Sequence, residues 1–101
     1  MRRKARIDGN QNEIVAHLRQ LGMSVCLLHT VGDGVPDVLV GYRGINVLLE
    51  IKDGSKPPSR RELTEDEQKW HLEWRGQLAI AESKEQAEGE VMRCWRRAVA
   101  S

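Results

Sequence analysis

Two mostly apolar runs, Val38-Leu39-Val40 and Ile45 to Leu49, are separated only by Gly41-Tyr42-Arg43-Gly44. A connection that short, glycine at both ends, folds the runs back on each other as an antiparallel hairpin. Each strand is bordered by charge: Pro36-Asp37 opens the first, and Glu50-Ile51-Lys52 closes the second. Successive strand residues point to opposite faces, so Glu50 and Lys52 share a face, roughly 7 Å apart along the strand, and the hairpin brings Asp37 beside them. Val47-Leu48-Leu49 is apolar without alternation, which predicts burial on both faces.

The remaining elements assemble around this hairpin. Asp8 or Asn10 can cap a helix running to Leu21, with Ile14, Leu18 and Leu21 on one stripe and Gly22 as the stop. Ser24 to His29 reads as a short buried strand, followed by a glycine-hinged loop, Thr30 to Val35. Residues 53–62 hold glycine, two prolines and three basic residues, the composition of a loop. Thr64-Glu65-Asp66-Glu67 is a capping-box pattern that opens a helix to about Arg75, with Gly76 ending it. Gln77 to Ala81 makes a fourth strand. Ser83-Lys84-Glu85-Gln86 repeats the capping pattern before a last helix, about 84–98, that directs Val91, Cys94, Trp95 and Val99 toward the core. The expected fold is α/β, one αβββαβα domain over residues 1–101 with its core at about 10–83 and a central mixed sheet flanked by helices. A chain of 101 residues supports one such core and not two.

Charge is segregated although the net value is only +1. Arg2, Arg3, Lys4 and Arg6 crowd the N-terminus, and Lys56, Arg60 and Arg61 the central loop; either group suits solvated surface or phosphate contact equally on charge alone. With three Trp, one Tyr and no Phe, stacking of single-stranded bases on an aromatic sheet face is disfavoured. Cys26 and Cys94 are too few and too far apart for a disulfide framework or a zinc site, which fits a reduced, cytoplasmic setting. No apolar stretch approaches the ~20 residues of a membrane span, and no signal-peptide core follows the basic start.

Chemistry concentrates at the hairpin ends. Asp37 and Glu50, with a main-chain carbonyl such as that of Ile51, are hard oxygen ligands suited to Mg2+, which keeps several waters and recruits phosphate oxygens. Lys52 would orient or help deprotonate such a water and stabilise charge building on a phosphate. Glu-x-Lys alone is a weak signal, since Glu67-Gln68-Lys69 and Glu82-Ser83-Lys84 repeat it. Those two fall at helix positions, where surface charge or dipole compensation explains them. The bland alternative for Asp37, Glu50 and Lys52 is a strand-end salt bridge. His29 suits a hydrogen-bonded structural role or a phosphate contact; His17 and His71 read as surface or core-edge residues. Trp70 and Trp74, one helical turn apart, suit core or subunit contacts.

Pro36-Asp37, twelve residues, then Glu50-Ile51-Lys52 resembles the signature of the PD-(D/E)xK nuclease superfamily, whose restriction-endonuclease-like core has the same element order. More narrowly, Gly34 to Gly41, the Glu-Ile-Lys, Leu63-Thr64 and Gln68 resemble the VRR-Nuc family, in its stand-alone bacterial and phage versions. The resemblance spans about Asn10 to Ser83. It implies an endonuclease dependent on Mg2+ or Mn2+ that cuts structured DNA, with small members forming homodimers similar to Holliday-junction resolvases. Asp37 and Glu50 would be metal ligands and Lys52 the catalytic lysine. Glu13 would match the family's helical acid near the metal, reaching it through water, although a first-turn acid favouring the helix dipole is the plain reading. Gln68 would position Lys52 or the phosphate. Lys56, Arg60 and Arg61, with Arg2, Arg3 and Lys4, would contact DNA. Flap cleavage, restriction-type cleavage, or binding of branched DNA without cutting are the alternatives.

Overall fold

The structure, a computed structural model, describes residues 8–100. The elements run α1 (Gln11–Gln20), β1 (Ser24–Leu27), β2 (Val38–Tyr42), β3 (Ile45–Ile51), a 3-10 turn (Pro58–Arg60), α2 (Glu65–Glu73), β4 (Leu78–Ala81) and α3 (Lys84–Ala100). This is the expected αβββαβα order. The sheet order is β1-β2-β3-β4, antiparallel except for the β3–β4 pair, which is parallel because the chain crosses over through α2.

The hairpin turn is the tightest available. Tyr42 pairs with Ile45, leaving Arg43 and Gly44 as the two central residues, both at positive φ (46° and 87°). That conformation matches the twist of the flanking strands and pins their register. The core follows from strand alternation: Val38 and Val40 of β2, Val47, Leu49 and Ile51 of β3, and Ala79 and Ala81 of β4 face α1 (Ile14, Val15, Leu18) and α3 (Ala87, Val91, Cys94). On the opposite parity Asn46 is exposed but Leu48 and Glu50, and Lys52 just past the strand, are buried, so both faces are covered over Val47 to Ile51, as the unalternating sequence predicts.

Several expectations change. Strand β1 ends at Leu27 and is an exposed sheet edge, not a buried strand; Leu27 is 46% accessible and Cys26 is exposed. Val25 still packs against the core, while Cys26 and Leu27 are left exposed at the edge where the sheet ends. Val99 is 61% accessible, since α3 runs on past the sheet. Asn10 precedes α1 without a capping bond; its Nδ2 donates instead to the carbonyls of Lys52 and Glu82, both at 3.0 Å, tying the start of α1 to the ends of β3 and β4. Thr64 forms the full capping box with Glu67. Among the described residues, no helix is long and apolar enough to cross a membrane.

Candidate active site at the strand ends

The register that pairs Val38 with Leu49 sets Asp37 directly opposite Glu50. Leu28 N–H donates to the Asp37 carbonyl at 2.7 Å, so the Asp37 main chain faces β1 and the Asp37–Glu50 step is a non-hydrogen-bonded pair across β2 and β3. Side chains are closest at such steps. One step further, Pro36 lies opposite Ile51 and has no N–H, so the ladder offers the Ile51 carbonyl no donor. The Ile51 N–H in turn donates to Asp37 Oδ2 at 2.7 Å, which fixes the Asp37 carboxylate over the strand end.

Glu50 is 2% accessible and Lys52 8%. Burial pushes the Glu50 carboxyl up to about 10, reinforced by a hydrogen bond shared with Asp37 and by the charges of Asp37 and Glu67, with Lys52 opposing. Glu50 Oε1 is buried and has no hydrogen-bond partner. The strand end thus crowds two carboxyls together with too little positive charge.

Helix α2 lies over this face. Lys52 Nζ donates to Glu67 Oε1 at 2.7 Å. Burial alone would lower the Lys52 ammonium, but the Glu67 hydrogen bond and charge, with Glu50 and Asp8, outweigh it and hold the group above its ordinary value. Burial likewise works to raise Glu67, and the Lys52 hydrogen bond, the Thr64 N–H and the Lys52 charge bring it below its ordinary value. One turn on, His71 Nε2 stands 3.6 Å from Glu50 Oε1. Burial depresses the imidazole, and Lys52 adds to this against the pull of Glu67. Asp8 joins from the chain before α1: burial raises its carboxyl, and so does Asp37, while Lys52 and Lys56 act in the other direction.

Asp37, Glu50 and Lys52 therefore converge as the sequence predicts, and Ile51 offers its carbonyl beside them. Other expectations do not hold. Glu13 is exposed and lines a shallow hollow with Asn10, Asp53, Ser55, Glu82 and Gln86 that includes neither Asp37 nor Glu50; the acid placed near Asp37 is Asp8. Gln68 is exposed and its Nε2 donates to the Leu63 carbonyl at 3.1 Å, so it braces the entry to α2 while Glu67 holds Lys52. Arg61 is bound to Glu82 at 3.0 Å and is not an open phosphate contact, whereas Lys56 and Arg60 are exposed. Arg2, Arg3 and Lys4 lie outside the described residues. His17 bridges α1 to α3 through Glu88 at 2.8 Å, and His29 pairs with buried Gln11 at 3.2 Å, both structural roles.

Sequence reasoning missed Glu67 and His71. Their i, i+4 spacing places them on one helix face, a signal that was present but had no partner until α2 was seated on the sheet.

Comparison with protein-family models, with curated proteins and with solved structures returns no match for this chain.

Proposed function

We propose that this chain is a metal-dependent endonuclease that hydrolyses DNA phosphodiesters. The observation that carries this reading is the pairing of Asp37 with Glu50 at the end of a buried hairpin, with Lys52 on the same face. Two carboxyls crowded together at a buried strand end fit a divalent cation that would relieve their repulsion. Among the described residues no three His, Cys, Asp or Glu side chains are grouped to hold a metal by themselves. The donor set is instead two carboxylates and the Ile51 carbonyl, which suits Mg2+ or Mn2+, ions that keep waters in their shell. When bound, such an ion supplies Lewis acidity at the phosphate and a more acidic water.

The chain's own residues divide the remaining work. Asp37, anchored by the Ile51 amide, and Glu50 hold the cation site against the strand end. Lys52, kept protonated by Glu67, donates to a non-bridging phosphate oxygen and stabilises the charge that grows there; as an ammonium it does not serve as the base. Lys56 and Arg60, exposed on the loop after β3, contact the DNA backbone.

The substrate we favour is branched DNA, a four-way junction cut by a homodimer in the cytoplasm. A junction is two-fold symmetric and needs paired incisions, which an isologous dimer delivers. Trp74 and Ile80, 45% and 41% accessible, line one open hollow together with Glu90 and Arg93, and on this mixed surface we place the second copy. The test is cleavage of labelled four-way junction, 5′ flap, splayed arm and linear duplex with Mg2+ or Mn2+. Wild type should nick the junction and Asp37→Ala should not; if all four substrates stay intact with wild type, the reading fails.

A further inference from the structure

Helix α2 carries none of its residues into the core, yet it presents two of them to the Glu-x-Lys pair in matched order. Glu67 meets Lys52, and His71, one turn later, meets Glu50. A helical i, i+4 spacing of about 6 Å against a strand i, i+2 spacing of about 7 Å makes this two-by-two match possible. The first contact is closed at 2.7 Å; the second stands at 3.6 Å, beyond a hydrogen bond. The two atoms left open, Glu50 Oε1 and His71 Nε2, are both buried and both lack any hydrogen-bond partner. The Glu50 carboxyl also lies against that of Asp37.

We propose that His71 is a positioning residue for Glu50: Nε2–H closes onto Oε1 and holds the carboxylate with Oε2 turned toward Asp37. Closure needs a movement of about 0.5 Å, within reach of a small side-chain rotation. A ligand carboxylate whose outer oxygen is held in this way keeps its inner oxygen aimed at the cation, and loss of such a partner weakens metal binding or activity about 10- to 100-fold. A histidine merely covering the sheet would not leave two buried, unpartnered polar atoms facing one another. The inference rests on the metal-dependent reading above.

The experiment is Mn2+ titration by calorimetry on wild type, His71→Ala and His71→Gln, with kcat and KM on a labelled four-way junction and a thermal melt of each variant. Expected are a Mn2+ Kd raised at least ~10-fold in His71→Ala, a fall in kcat with KM for DNA unchanged, and recovery of most of the affinity in His71→Gln, whose amide N–H can reach the same oxygen. If His71→Ala binds Mn2+ as wild type does, the positioning role is overturned while the nuclease reading stands. Should His71→Ala melt early, the Gln variant decides: metal affinity no better than in Ala overturns the role. Wild type that neither binds Mn2+ nor cuts DNA overturns both.

Discussion

Replacing Glu50 by Gln should stabilise the metal-free protein while abolishing cleavage. Glu50 folds into a place where burial and Asp37 hold its carboxyl at about 10, against an ordinary 4.5. An acid raised on folding binds more protons in the native than in the unfolded chain, so its contribution is complete below 4.5 and is lost as pH climbs toward 10. At pH 7 the unfolded chain gains by ionising over about 2.5 pH units at ~1.4 kcal/mol each, which puts the cost to the wild-type fold at about 3 kcal/mol. Glutamine has the same shape, keeps a donor for Asp37 and has no proton to lose. In EDTA at pH 7, Glu50→Gln should therefore be about 3 kcal/mol more stable, roughly 12–24 °C in Tm for a chain of this size. The difference should shrink to under about 1 kcal/mol at pH 5 and grow at pH 8. Added Mn2+ should raise the wild-type Tm and leave the variant's unchanged. Urea unfolding from pH 5 to 8, with and without Mn2+, measures all of this. A variant equal to or less stable than wild type across that range would refute the account of Glu50 as a carboxyl held out of its ordinary range by burial and by its neighbour.

Glu67→Gln should behave in the opposite sense: Glu67 is held below its ordinary 4.5, so its stabilisation is present above that value and lost as pH falls. The wild type should lead by about 2 kcal/mol at pH 7, the size of a charged hydrogen bond, and lose that lead as pH falls below 4.5, read as urea midpoints. Lys52→Met should lower kcat about 10²–10³-fold with KM for DNA little changed, measured on the labelled junction. Gly34→Ala should destabilise by about 3 kcal/mol in urea, since Gly34 has φ +82° and a methyl there runs into the Asp66 carbonyl in the first turn of α2. Lys56→Ala and Arg60→Ala should each reduce the salt dependence of DNA binding by about one counterion, whereas Arg61→Ala, which loses the Glu82 pair, should lower the Tm and leave that slope unchanged.

The part of the site on the hairpin was legible because its determinants are local. The sequence marks the connection at Gly41 to Gly44 and so brings Asp37 to the Glu50 end of the hairpin; the structure narrows the turn to Arg43-Gly44, pairs Tyr42 with Ile45 and thereby sets Asp37 directly against Glu50. Strand alternation then puts Lys52 on the same face with no knowledge of the remainder of the fold. The element order was legible for a related reason: capping residues, glycine stops and apolar runs act within a few positions of themselves. The buried reading of β1 failed because burial of a strand depends on which neighbours cover it, and β1 lies at the sheet edge.

Helix α2 shows what only the tertiary structure decided. Its sequence has no strong apolar stripe and none of its residues is buried, so nothing local states which side faces the sheet. Neighbouring residues on a helix point about 100° apart, and rotation about the axis decided between Glu67 and Gln68 as the partner of Lys52. Seating of α2 against Gly34 fixed that rotation, and with it brought His71 to Glu50. The same dependence on distant packing placed Asp8 near Asp37, left Glu13 in solvent and bound Arg61 to Glu82. The sequence by itself brought the two carboxylates and their lysine to one end of a hairpin, because strand geometry is periodic and local. The residues that surround and hold them were decided by how one unanchored helix rests on the sheet, a long-range contact that no short stretch of sequence encodes.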